Sequence, residues 1–423
     1  MVMLSTLQSA ALRWLPFREK KRSQVIACAS VALCSCLGVV AHAQQHKAFD
    51  ASRYNPAVLH VRFTPAEGRT TSDQSDAFLD LTLIASSGAV EGFRAELSTT
   101  DFRQQLSGLY RQLSRLESLQ VDDPSSPSRQ LHELMFGELS SVLQREQIST
   151  LLIAADRGLQ AVPFAALSDG TSFFGERYAF AITPSLALMD FESSEPTQDR
   201  MLALGASRFK GLAALPLVPQ EIQRIGDPSK KDEFLNQEFT VEALLDKGAD
   251  ARYNQLHVAT HAEFKPGGPA LSQLHSGVGP VSMKQLAQLR QKRQGVPLDL
   301  VVFSACRTAL GDAEAELGFS GLALQAGARS AVGTLWYVDD VATSAYFVLM
   351  YRYLDQGVPK ADAMQLTRQA FIRGDVRLVG DQLLGPEGLP LLTDLTPAQQ
   401  RRVNNGLSNP FYWAGISLMG APW

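Results

Sequence analysis

From about residue 150 onward the chain alternates short apolar runs with longer stretches of helical spacing. Residues 151–155, 201–206, 255–260, 298–305 and 330–336 are apolar on both strand faces and bounded by polar or glycine-containing segments. Runs of that length and character predict central strands of a parallel sheet. Between them, residues 219–225, 281–293, 320–327, 340–354 and 360–373 place apolar side chains three and four apart, which predicts helices. Strand–helix alternation of this kind predicts an α/β fold, an open and mostly parallel sheet with helices on both faces. Residues 374–410 are rich in Gly, Pro and Asp and read as an insertion, and residues 411–419 read as a last strand.

Ahead of this core the pattern differs. Residues 59–63 and 78–84 read as strands and 89–97 as a hairpin partner, while 101–119 and 129–145 are amphipathic and helical. A polar turn with two prolines, residues 122–127, separates the two helices. The expected organisation is an extended tail at 44–56, a small strand-plus-helix part at 57–148, and a core at 149–423 with its insertion at 374–410. Nothing repeats at the periods of solenoid arrays.

The first 43 residues stand apart. Arg18, Lys20, Lys21 and Arg22 precede an apolar stretch from 25 to 40, and Ala41-His42-Ala43 supplies small residues where a signal peptidase reads. The segment predicts a secretory signal peptide cleaved before Gln44, and so a periplasmic or secreted protein. Sixteen mostly apolar residues are short for a membrane span, so no stable span is expected. Lipoprotein processing at Cys36 is the second reading of the same segment. Cleavage would move the formal charge from −4 to −8, because five basic side chains and one acidic one leave with the peptide. That balance argues against nucleic-acid binding, which needs a basic face.

Cleavage would also remove Cys28, Cys34 and Cys36. Cys306 then remains as a single thiol, and no disulfide framework is possible. It follows the apolar run 298–305, as His261 follows the run 255–260. In open α/β sheets the working edge lies at the carboxyl ends of the strands. A thiol and an imidazole, each just past such an end, are the parts of a cysteine–histidine hydrolase.

Seven ordered stretches carry a family resemblance. Ala155 to Leu159 with Val162-Pro163-Phe164-Ala165-Ala166-Leu167 comes first, then Gly175-Glu176-Arg177-Tyr178 and Thr183-Pro184-Ser185. Leu256-His257-Val258-Ala259-Thr260-His261 and Phe303-Ser304-Ala305-Cys306-Arg307-Thr308 follow. Gly327 to Trp336 with Val338-Asp339, and Asn409 to Gly415, close the series. In this order they resemble the CHAT domain, a caspase-like peptidase module, over about residues 56–423. The resemblance implies a caspase-like fold and a cysteine endopeptidase in which Cys306 is the nucleophile and His261 the general acid/base. Backbone N–H groups of Ala262 and Cys306 would hold the oxyanion. It implies a protein or peptide substrate and an activating partner protein in some cases; no cofactor or metal is implied. Where the family has glycine after the histidine, this chain has Ala262, and no tetratricopeptide partner is present. The alternative reading is therefore a catalytically silent CHAT fold acting as a binding or scaffold module.

The remaining candidates have plainer readings beside sharper ones. His257 lies within its run and reads as packed, and His275 has a place near the cleft but no assigned role. Asp339 and Asp340 precede a helix and read as N-caps; the sharper reading makes them substrate-pocket carboxylates that select a basic side chain. Asp156 reads as a turn former, and Asp299 and Asp312 as groups that orient His261. The His132-Glu133 pair lacks the second histidine of a zinc helix, and Gly318 to Leu322 lacks the spacing of a nucleophile elbow.

Overall fold

The computed structural model describes residues 46–48, 56–66, 75–156, 158–186, 189, 192–194, 200–263, 272–305, 321, 323, 324, 327–337 and 339–423. Met1–His46 and Lys47–Trp423 are separate units, and the first lies outside the described residues except for His46. Lys47–Trp423 carries the main sheet and all the described helices.

Eleven strands make one sheet. They are β1 (Pro56–Pro65), β2 (Ala77–Ala85), β3 (Val90–Leu97), β4 (Thr150–Ala155), β5 (Ala179–Thr183) and β6 (Met201–Gly205), then β7 (Lys231–Leu235), β8 (Gln255–Ala259), β9 (Leu298–Ser304), β10 (Ala328–Thr334) and β11 (Ile416–Gly420). Their order across the sheet is β3-β2-β1-β4-β5-β11-β10-β9-β8-β6-β7. Strands β1, β4, β5 and β11 run parallel, and so do β10, β9, β8, β6 and β7. The two blocks meet antiparallel where Ile416–Gly420 pairs with 330–334. A β1-β2-β3 meander closes one edge.

The central strands β4, β5, β6 and β11 are buried at every position, which is why they read as unbroken apolar runs. The main helices are α1 (Thr99–Ser114), α2 (Pro127–Phe136), α3 (Val218–Arg224), α4 (Asp340–Asp355), α5 (Lys360–Ile372) and α6 (Pro397–Val403). Helix α4 buries every residue from 341 to 351 and packs against α3, α5 and α6. A helix apolar on all sides belongs inside, and this one lies between other helices and the sheet.

Several expectations shift. The helix expected at 129–145 is two: α2 ends at Gly137, and a second piece covers Ser140–Arg145. Where one helix was expected over 281–293, Pro280–Ser282 is a strand, followed by Met283–Leu286 and Gln288–Lys292. Strands β5 and β7 had no counterpart in the sequence reading. The stretch 374–410 is built, with a three-stranded ladder of Arg377–Val379, Gln382–Leu384 and Pro390–Leu392 followed by α6. Half of the helix expected at 320–327 lies outside the described residues. Among the described residues no helix is long and apolar enough to cross a membrane.

Candidate active site

Strands β8 and β9 run side by side and end level, with Ala259 opposite Ser304. The Thr260 N–H continues the ladder to the Ser304 carbonyl at 3.2 Å. On the other side of β9, the Thr334 hydroxyl donates to the Ala305 carbonyl at 2.7 Å, so the carboxyl ends of β8, β9 and β10 are tied together. His261 lies two residues past Ala259. Cys306 lies two residues past Ser304 in sequence, but it is outside the described residues, as is Asp312.

The His261 ring is half-buried and fixed from one side. Its Nε2 is 2.8 Å from the Ala213 carbonyl, and the Phe209 ring packs on it at 4.7 Å between centroids. A carbonyl only accepts, so Nε2 carries the hydrogen. In the neutral ring Nδ1 then keeps its lone pair, the state a general base needs. Both contacts come from the loop after β6. That loop is anchored where Ser207 donates from N–H and Oγ to Asn236 Oδ1, at 2.9 and 3.0 Å.

Ala262 opens a short ladder, with Ala262–Glu263 antiparallel to Gln273–His275. The His275 N–H donates to the His261 carbonyl at 3.0 Å. Pairs alternate in such ladders, so Ala262 and Leu274 form a non-hydrogen-bonded pair and the Ala262 N–H points away from this ladder. Ala262 is not among the residues of positive φ, so its Cβ imposes no left-handed strain. The Thr260 hydroxyl donates to the His275 carbonyl, and His275 Nε2 lies 3.4 Å from Glu263 Oε1. Phe209 faces both imidazoles.

Beneath the edge lies a buried polar network. His257 Nε2 meets Glu221 Oε1 at 2.9 Å, Ser344 Oγ donates to Glu221 Oε2 at 2.6 Å, and His257 Nδ1 is 3.3 Å from the Tyr351 hydroxyl. All four residues are buried. Burial pushes the Tyr351 phenol well above its usual range, so it stays a neutral hydroxyl able to donate to Nδ1. The network joins β8, which leads to His261, with α3, which follows the Phe209–Ala213 loop, and with α4. The Lys231 ammonium caps the end of α3 on the carbonyls of Ile222, Gln223 and Ile225, at 2.6, 3.0 and 2.7 Å.

Asp339 caps α4, accepting from the N–H groups of Val341 and Ala342 at 2.9 and 3.1 Å. Burial raises its carboxyl above the ordinary range, and the Arg402 guanidinium opposes that rise. Arg402, from α6, reaches Asp339 Oδ2 at 3.2 Å and also pairs with Asp340. Asp299 is a correction: it stands at the start of β9, bound to Lys360 at 3.0 Å, far along the strand from His261, and does not orient it. The Asp156 carboxylate accepts from the Phe63 N–H at 3.2 Å and so ties the end of β4 to β1, while its backbone carbonyl accepts from the Leu159 N–H at 3.0 Å in the turn. Among the described residues no group of three or more His, Cys, Asp or Glu side chains is set to hold a metal ion.

Sequence reasoning missed Phe209, Ala213 and Glu221. Ala213 acts through its backbone and carries no side-chain signal. Phe209 is a lone aromatic in a polar, glycine-containing loop, and Glu221 interrupts the apolar stripe Val218, Ile222, Ile225. Those two irregularities were visible in the sequence.

A large, mostly parallel sheet with helices packed on it and a histidine at its carboxyl edge make an α/β fold of caspase-like, peptidase-like kind. Residues 125–421 match the CHAT domain, and the chain belongs to that family. Two Saccharomyces cerevisiae separase–securin complex structures share the fold, with TM-scores of 0.51 and 0.52 at 11% identity. Each match covers 88% of this chain and 30% of that one, so the chain spans under a third of separase's length. The Arg-specific cysteine proteinase gingipain R of Porphyromonas gingivalis is more distant, with a TM-score of 0.39 and 9% identity over 76% of this chain and 75% of that one. None of the curated proteins matches this chain.

Proposed function

We propose that the chain is a periplasmic or secreted cysteine endopeptidase that hydrolyses peptide bonds through a Cys306–His261 dyad. One observation carries the reading. The strands that lead to the two residues are paired level, Ala259 against Ser304, and each residue follows its strand by the same two positions. The Ala213 carbonyl adds the tautomer, since it leaves Nδ1 of His261 as the basic nitrogen.

In this mechanism the imidazole takes the thiol proton, because a free thiol with a pKa near ~8.5 is mostly protonated at neutral pH. The thiolate attacks the peptide carbonyl, and the backbone N–H groups of Ala262 and Cys306 hold the resulting oxyanion. The imidazolium then protonates the leaving amine, and water attacks the thioester to release the acid and restore the thiol. A protein or peptide is the substrate, and an activating protein is a possible further partner. A basic substrate side chain binding at Asp339 and Asp340 would have to displace Arg402.

The test is the pH dependence of Cys306 alkylation by iodoacetamide in the protein that starts at Gln44, compared with His261→Ala. Fast alkylation below pH 7 that slows in the variant is the expected result. Cys306→Ala should then abolish peptide turnover while keeping the fold. An ordinary thiol profile in both proteins, with and without candidate activators, would overturn the dyad and leave the scaffold reading. N-terminal sequencing of the exported protein checks the compartment; retention of residues 1–43 would refute it.

A further inference from the structure

Side chains opposite each other in an antiparallel ladder point to the same face, and neighbours along a strand alternate between faces. In the ladder that continues from His261, Ala262 lies opposite Leu274 and Glu263 opposite Gln273, which sets His261 opposite His275. One face therefore carries Ala262 and Leu274, both buried, and turns into the core. The other carries His261, Glu263, Gln273 and His275, all half-buried. Three polar side chains thus share a face with the histidine of the proposed dyad.

Of those four residues only Glu263 is a carboxylate. Two neighbours on the same face hold it: Gln273 Nε2 donates to Oε2 at 3.4 Å, and His275 Nε2 lies 3.4 Å from Oε1. The Glu263 side chain is nevertheless 34% exposed, so a ligand can reach it. Phe209 packs on His261 and faces His275, and it closes this polar shelf on one side.

The order of the sheet fixes which side of the cleft this is. Strand β9 leads to Cys306 and β8 to His261, while β6, whose loop carries Phe209, lies beyond β8 from β9. Phe209 and the shelf it closes therefore flank the histidine on the side away from the thiol. A leaving amine departs beside the group that protonates it, so residues that follow the scissile bond bind here. Glu263 lies two residues past His261, about 7 Å along an extended strand. A lysine or arginine side chain just after the scissile bond spans that distance.

We infer that Glu263 is a specificity-determining residue that selects a cationic side chain on the leaving-group side of the scissile bond, with Phe209 as the apolar wall for its stem. The inference rests on the Cys306–His261 reading and adds a substrate class to it: peptides with lysine or arginine directly after the cleaved bond. Acidic residues at those places are repelled.

The test uses internally quenched peptides cleaved by the wild-type chain, remade to carry either Lys-Lys or Glu-Glu directly after the scissile bond. In the wild type kcat/KM should favour the Lys-Lys peptide by about tenfold at low salt, and by less at high salt. Glu263→Gln should bring the two peptides within about twofold of each other, and Glu263→Lys should reverse their order. Each ratio is taken within one protein, so a general loss of activity does not enter it. Equal cleavage of the two peptides by the wild type, or the wild-type ratio retained in Glu263→Gln, would overturn this inference and leave the dyad standing. No cleavage of any peptide, with an ordinary Cys306 alkylation profile, would overturn the dyad and this inference with it.

Discussion

At the scale of single residues, the clearest consequence belongs to His257. Its imidazole is the donor that meets one oxygen of the buried Glu221 carboxylate, with Ser344 on the other. His257→Leu leaves that oxygen facing hydrocarbon, and breaking one side of a buried pair costs about 3–5 kcal/mol. A loss of that size is expected in urea unfolding, and one below about 1 kcal/mol would show that the network adds little. Asp169 gives a pH test. Burial works against its ionisation, yet hydrogen bonds from the Thr171 hydroxyl and the N–H groups of Ser172 and Thr171 bring the carboxyl down to about 2. A folded pKa below the unfolded value gives stability that is complete above about pH 4 and lost as pH falls through about 2. Asp169→Ala should flatten the acid limb of the stability curve; an unchanged limb would place the carboxylate's effect elsewhere. The sequence placed His257 in the interior by strand parity, but not its partner, because nothing local links residues 221 and 257.

Most strands buried on both faces were legible, β5 excepted, and the half-exposed edge strand was not. Strand β7 is at an edge, and its Lys231-Asp232-Glu233-Phe234-Leu235 mixes charge with apolar side chains because only part of it faces the core. The break in the helix expected at 129–145 falls at Gly137, whose own added Cβ would meet Glu133 atoms at 2.5–2.8 Å. The loop beside the site depends on another close approach: a Cβ on Gly277 would lie 1.6 Å from the Asn236 carbonyl oxygen, which belongs to backbone and cannot swing aside. Asn236 also anchors the loop that carries Phe209 and Ala213. Gly277→Ala is therefore expected to push residues 276–279 and 236 apart and to raise amide hydrogen exchange in both. Unchanged exchange at those positions would refute the coupling.

At the scale of the whole molecule, the last strand is the keystone. Strand β11 comes at the end of the chain but lies sixth of eleven across the sheet, parallel to β5 and antiparallel to β10. Removing residues 411–423 would split the sheet into two blocks with two bare inner edges. The truncated chain is expected to lose cooperative unfolding and to aggregate. A truncated protein with a single sharp transition would overturn this view of the sheet. The ordering also explains how 149–423 and the preceding strands share one core, since β1 pairs directly with β4.

The sequence by itself determined the α/β class, the strands β4, β6, β8, β9 and β10, the buried place of His257 and the position of His261 just past a strand end. These follow from hydrophobic periodicity, which is a local property and survives in a single chain read alone. The tertiary structure alone decided the antiparallel join of the two parallel blocks, the Ala213 carbonyl on His261, the Glu221–His257 network and the burial of Arg368 against the Gly175 carbonyl and the Phe180 ring. Each of these is a contact between segments far apart in sequence. Its energy comes from desolvation and hydrogen bonding that no local pattern encodes.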